Sequence, residues 1–155
     1  MIKDKGVQDL LKAVKGLKAE IIIVGKGPYE SELKRLGGRF VWQKDAKGVR
    51  EILASSDILV NPSYGEGMPT AVLEAGAMGL PVIASDVGGT GEIIQHGKNG
   101  YLVHPGNVSE LRQKIKKLLN VVLRSRIGKS LQKTVKQKFD WDVIVIKLES
   151  VLKRI

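Results

Sequence analysis

The chain has 155 residues with an ordinary apolar content, enough for one domain with a sizeable core, predicted to span 1–155. There is no cysteine, which excludes a disulfide framework, a thiol nucleophile and a thiolate metal site, and the two histidines, His96 and His104, make no zinc set. The formal net charge is +10, but Leu111–Lys138 alone carries ten Lys/Arg and no acid, so the remainder is close to neutral.

Helical and extended segments alternate along the chain, the pattern of a parallel sheet covered by helices. Val7, Leu10, Leu11, Val14 and Leu17 fall at helical spacing. Glu20–Val24 is a short β-branched run that ends at Gly25, followed by a tight Gly25-Lys26-Gly27-Pro28 turn and a helix over 29–36. Residues 39–43 read as a second strand, 47–53 as a helix and 57–60 as a third strand. A glycine-bearing loop leads to a helix starting near Pro69, a residue favoured in a first turn. Strands over 81–84 and 100–103 follow, with a helical turn over 91–95 between them. The rest is helical over 107–121, 123–137 and 141–155, with Asn107 or Ser109 and Asp140 as candidate caps. Trp42 and Trp141 are expected to pack in the core or between helices. No apolar run is long enough to span a bilayer and no stretch reads as a signal peptide, which predicts a cytoplasmic domain.

The densest chemistry lies between Asn61 and Glu74. The loop Asn61–Met68 leaves the C-terminal end of a predicted strand, the edge where ligands bind in open α/β sheets. Gly65 and Gly67 allow close backbone approach. The N–H groups of Gly67, Met68, Thr70 and Ala71 face that edge and suit a diphosphate. Glu74 follows Thr70 by four residues, on the same helical face, and a carboxylate there can take the cis-diol of a ribose. Glu66, eight residues before Glu74, lies on the other side of the anion, within reach of a sugar's hydroxyls. Read singly, each glutamate is as readily a solvated carboxylate or a helix-dipole partner. Read with the glycines and Pro69, they describe a nucleotide-sugar site. Gly25-Lys26-Gly27 borders the same edge, with Lys26 as a candidate phosphate contact or else a plain turn. Asp86-Val-Gly-Gly89 is either a wall of the cleft or another turn. Lys5 by itself reads as a surface lysine. The basic 111–138 stretch is either a solvated helical face or a surface for anionic lipid or an acidic partner; with no interleaved aromatics, nucleic acid is disfavoured.

These residues resemble a known family. Pro62-Ser63…Glu66-Gly-Met-Pro69…Glu74-Ala75…Gly79-Leu-Pro-Val82…Ser85-Asp86…Gly88-Gly89…Glu92-Ile-Ile94…Asn99-Gly100 is similar to the C-terminal, donor-binding half of retaining GT-B glycosyltransferases of the "group 1" family (family 4), with its paired-glutamate E-x7-E signature. Lys5-Gly6-Val7, Ile23–Tyr29, Ser56-Asp57 and Phe139-Asp140-Trp141 match as well. The resemblance implies a Rossmann-like doubly wound fold with a helical C-terminus. It implies a UDP- or GDP-linked sugar donor, no metal and no separate cofactor. Glu66 would contact the donor sugar in the catalytic step and Glu74 the ribose. Gly67, Met68, Pro69 and Thr70 would cradle the diphosphate, Lys5 would neutralise it, and Gly25, Lys26 and Gly27 would border it.

Departures from the family carry expectations too. The family's half opens with a strand ending in Gly-Arg just ahead of the segment that here starts at Met1, and an N-terminal domain supplies the acceptor pocket. The chain therefore reads as half an enzyme, inactive alone. It would be a cut piece, a late-starting gene fragment, or one subunit of a two-chain transferase whose N-terminal domain acts in cis or in trans. A sheet short of a central strand is expected to recruit one from another copy, to rearrange, or to be less stable than its length suggests. The competing class is a basic interaction module at a membrane surface or on a partner domain. An epimerase of the same fold fits the glutamate pair less well.

Overall fold

The computed structural model describes residues 2–41 and 45–152. One 3-10 turn (Lys3–Lys5) precedes α1 (Val7–Val14), β1 (Ile22–Val24), α2 (Glu30–Leu36), β2 (Arg39–Val41), α3 (Ala46–Ser55) and β3 (Leu59–Asn61). Then come α4 (Thr70–Ala77), β4 (Val82–Ser85), α5 (Thr90–Ile93), β5 (Tyr101–Val103), α6 (Val108–Leu118), α7 (Val121–Lys138) and α8 (Trp141–Leu152). The order is the one read from the sequence. α1 stops at Val14 rather than near Leu17, because Lys15 turns extended and Gly16 takes a φ of 75°. Trp42 and the end of the second strand as predicted, to Gln43, lie outside the described residues.

Asn side chains start the long helices: Asn107 accepts from the Glu110 N–H and Asn120 from the Leu123 N–H. Asp140 accepts from the Asp142 N–H at 3.2 Å and caps α8. Trp141 does not pack as expected; it is 77% exposed, and Phe139, two residues earlier, takes the place against the core.

All strand pairs are parallel. β4 is fully buried and divides its side chains by the two-residue period of a strand. Val82 and Ala84 join Val72 and Ala75 of α4 and Leu131 and Val135 of α7. Ile83 joins Ala13 of α1 and Leu111, Ile115 and Leu118 of α6. Both faces are therefore covered, as in a Rossmann-like α/β fold, and the C-terminus is helical.

The strands form two sheets rather than one, β1-β2 and β3-β4-β5. Arg39 N–H donates to Ile21 O at 2.8 Å and Gly25 N–H to Val41 O at 3.1 Å, so alternate residues of β1 face β2. Leu59 N–H donates to Pro81 O at 3.0 Å, so alternate residues of β3 face β4. The peptide groups of Ile22, Val24 and Val60 then turn toward the opposite edges, where they have no hydrogen-bond partner among the described residues. A cleft of about 370 Å³ runs between those edges, lined by Ile22, Val24, Leu59 and Val60, with Val14 of α1 and Leu53 of α3 among its other walls. The expected gap in the sheet is present, and it lies between β1 and β3.

Candidate functional site

The motif loop after β3 is stapled to the start of the chain. Tyr64 N–H donates to Asp4 O at 2.7 Å, and the Tyr64 hydroxyl donates to Asp9 Oδ2 at 2.7 Å. That bond to a buried carboxylate, with burial and the carboxylate's charge, raises the Tyr64 pKa. Gly6, at a φ of 65°, lies so close to Pro62 that a Cβ would meet the Pro62 carbonyl. This staple delivers Lys5 to the motif: its Nζ donates to Glu66 Oε1 at 2.8 Å. Ser63 Oγ donates to the same oxygen at 2.7 Å and lies 3.0 Å from Asn61 Oδ1. Two residues read as site candidates for separate reasons, Lys5 and Glu66, thus form one ion pair.

Burial by itself would raise the Glu66 pKa. The hydrogen bonds from Lys5 and Ser63, the lysine's charge and the Asn61 contact outweigh it and hold the carboxyl below its ordinary value. The depressed folded value means that the unfolded state binds the proton more readily. The stabilising contribution is complete above an unfolded pKa of about 4.3 and is lost as pH falls through the folded value. With half-exposed Lys5 as partner, it is expected to reach at most about 1 kcal/mol. Denaturation of wild type and Glu66→Gln across that acid range should show a pH-dependent difference that Lys5→Ala shrinks. Curves that stay parallel would show the pair to be energetically silent.

On the other side of the loop, α4 starts without a side-chain cap. Val72 and Leu73 donate back to Pro69 O, at 3.0 and 3.3 Å, which makes Pro69 the N-cap rather than the first helical residue. The N–H groups of Gly67, Met68, Thr70 and Ala71 have no acceptor among the described residues. They stand at the C-terminal ends of the strands, exposed, with the positive end of the helix dipole behind them. Glu74 is exposed one turn on, and its carboxylate has no ion-pair or hydrogen-bond partner among the described residues. It lines a cleft of about 450 Å³ between α3 and α4, together with Asp45, Arg50 and Met78. Glu66 is not among that cleft's walls. Gly25, Lys26 and Gly27 form the turn after β1, and the Gly25 N–H donates to Val41 O at the end of β2.

The Asp86–Gly89 segment is a wall of the motif. Gly89 N–H donates to Gly67 O at 2.8 Å. Gly88 has a φ of 51°, and a Cβ there would collide with the Glu66 carbonyl. Beneath it the hydroxyls of Ser85 and Thr90 are buried without a partner. The sequence reading gave no role to Asn61, Ser63, Tyr64, Asp9 or Gly6. Of these, Gly6 and Ser63 carry a local signal, a glycine at a helix entry and a hydroxyl three residues before a glutamate; the Tyr64–Asp9 contact spans 55 residues and leaves none.

The family described as "Glycosyl transferases group 1" matches residues 1–121. The chain belongs to this family. It corresponds to the C-terminal domain of a group 1 glycosyltransferase. Among relatives, it is 33% identical over 144 residues to the putative teichuronic acid biosynthesis glycosyltransferase TuaC of Bacillus subtilis, covering 90% of this chain and 36% of that protein. It is 36% identical over 152 residues to the sulfoquinovosyl transferase SQD2 of Arabidopsis thaliana, covering 92% of this chain and 30% of that protein. The glycosyltransferase domain thus spans about a third of the length of these relatives. Among solved structures, Anabaena HepE in complex with UDP and glucose superposes with a TM-score of 0.89 at 26% identity, over 99% of this chain and 46% of that one. The C-terminal domain of the group 1 protein LpcC from Francisella tularensis superposes with a TM-score of 0.81 at 25% identity, over 91% and 83%.

Proposed function

We propose that this domain binds a nucleoside-diphosphate sugar and forms the donor half of a retaining glycosyltransferase that moves a hexosyl group to an acceptor held by an N-terminal domain, in cis or in trans. The observation that carries the reading is the set of unpaired N–H groups of Gly67, Met68, Thr70 and Ala71, preceded in the chain by Glu66 with its bond from Lys5 and followed one turn on by the exposed Glu74 carboxylate. When the bond from the anomeric carbon to the diphosphate breaks, negative charge grows on the leaving phosphate. In this reading the α4 amides and the Lys5 ammonium stabilise that charge, a role that calls for no metal and no further cofactor. An ammonium has three N–H donors, and one is committed to Glu66. Glu66 then contacts the sugar's hydroxyls while its own orientation is fixed by Lys5 and Ser63. Glu74 takes the ribose at the mouth of the α3–α4 cleft. Gly25, Lys26 and Gly27 form the far wall. Acceptor recognition is assigned to an N-terminal domain, so this domain by itself is expected to bind donor and transfer nothing.

The test is calorimetric titration of the domain with UDP and then GDP. UDP comes first because the HepE structure carries it. Binding in the micromolar to millimolar range is expected, and Glu74→Ala should weaken it about 10- to 100-fold through loss of charge-assisted hydrogen bonds. No heat with either nucleotide, in a protein shown to be folded, would remove the donor site and leave the interaction-module reading.

A further inference from the structure

The corner between α6 and α7 combines two properties that the nucleotide edge does not use. Leu119, Val121 and Val122 are 45%, 65% and 80% exposed. Only Asn120 separates them, and its side chain, accepting from Leu123 N–H at 2.9 Å, fixes the turn that presents them. Lys116 and Lys117 on the last turn of α6 and Arg126 in the second turn of α7 stand within four residues of this apolar tip in the chain and are exposed. Arg124 is held by Asp57 at 2.8 Å, and no acid occurs anywhere in 111–138. Asp57 precedes β3 and Glu66 follows it, so the corner stands at the opposite end of the strand from the motif loop.

We propose that this corner docks on an anionic lipid bilayer. Leu119, Val121 and Val122 enter the headgroup region, while Lys116, Lys117 and Arg126 meet lipid phosphates, and the nucleotide edge is left facing the aqueous side. Three apolar side chains fall far short of the area of a specific protein interface, whereas a bilayer adds the attraction of every cation near its surface. A nucleic acid would be served by aromatic platforms, and 111–138 has none. The other exposed apolar element, α8, carries Asp142 and Glu149 among its apolar residues and lacks the charge for such a surface.

Vesicle co-sedimentation tests this, with phosphatidylcholine alone and mixed with phosphatidylglycerol, over a salt series. The domain should pellet with anionic vesicles, release with salt, and ignore neutral ones. Val121→Asp with Val122→Glu should lower the partition coefficient about tenfold or more, and Lys116→Gln with Lys117→Gln should lower it and flatten the salt dependence. Both pairs are exposed, so unchanged thermal melting is the control for folding. Trp141→Ser with Ile146→Ser on α8 should bind like wild type. The proposal falls if anionic vesicles capture nothing at low salt or neutral vesicles capture as much. It falls equally if corner variants bind normally while the α8 variant does not, or if a single-stranded oligonucleotide displaces the protein from the vesicles.

Discussion

Gly88→Ala is expected to destabilise the domain by about 3 kcal/mol or more and to erase nucleotide binding in whatever remains folded. Two costs add. Alanine at a φ of 51° sits in the left-handed region, about 1–3 kcal/mol above its preferred conformations. The new Cβ also collides with the Glu66 carbonyl, a backbone atom that cannot swing aside as a flexible side chain would. The clash is relieved only if the turn or the motif loop moves, and either movement strains the Gly89 N–H to Gly67 O bond that holds one against the other. The amides of Gly67 and Met68 leave their places with it. Chemical denaturation gives the first number and UDP titration the second. A variant that melts and binds like wild type would show that the contact between the two segments is dispensable. Gly65→Ala is the matched comparison, since a Cβ there meets nothing within 4 Å.

That contact also shows where the sequence was readable and where it was not. The order of elements was legible because hydrophobic period and turn residues are local quantities. The β-branched Glu20–Val24 run reads as a buried strand, and the structure forms one over Ile22–Val24 in which Ile23 alone is buried and Val24 is exposed; Asn107 announces α6 by its side chain. The exposed amides at the start of α4 were legible because that loop, its glycines and Glu74 lie within fourteen residues of Asn61. Partners distant in sequence were not legible. Lys5 meets Glu66 across 61 positions, and only resemblance singled out that lysine. Gly88 was left between a wall and a turn because nothing near it in the chain says that Glu66 lies against it. Trp141 failed for a related reason: a large aromatic at a helix start has two neighbours able to claim the core, and Phe139 takes it.

The separation of β1 from β3 leads to the other large effect, in hydrogen exchange. The amides of Ile22, Val24 and Val60 should exchange at least about a hundredfold faster than those of Ile83 and Ala84 in fully buried β4, at equal intrinsic rates. A buried peptide group without a partner is costly, and a cleft of about 370 Å³ between the two edges lets water reach these three. Open edges with apolar β-branched walls are also the usual templates for strand addition. The measurement therefore needs two concentrations. Fast exchange at both would mean two parallel sheets side by side in a monomer, with stability resting on α1, α6 and the β4 core. Protection that rises with concentration, alongside a larger sedimenting species, would mean that a second copy fills the cleft. Full protection at low concentration would overturn the open edges altogether, since only a continuous sheet could shield Val24 and Val60 together.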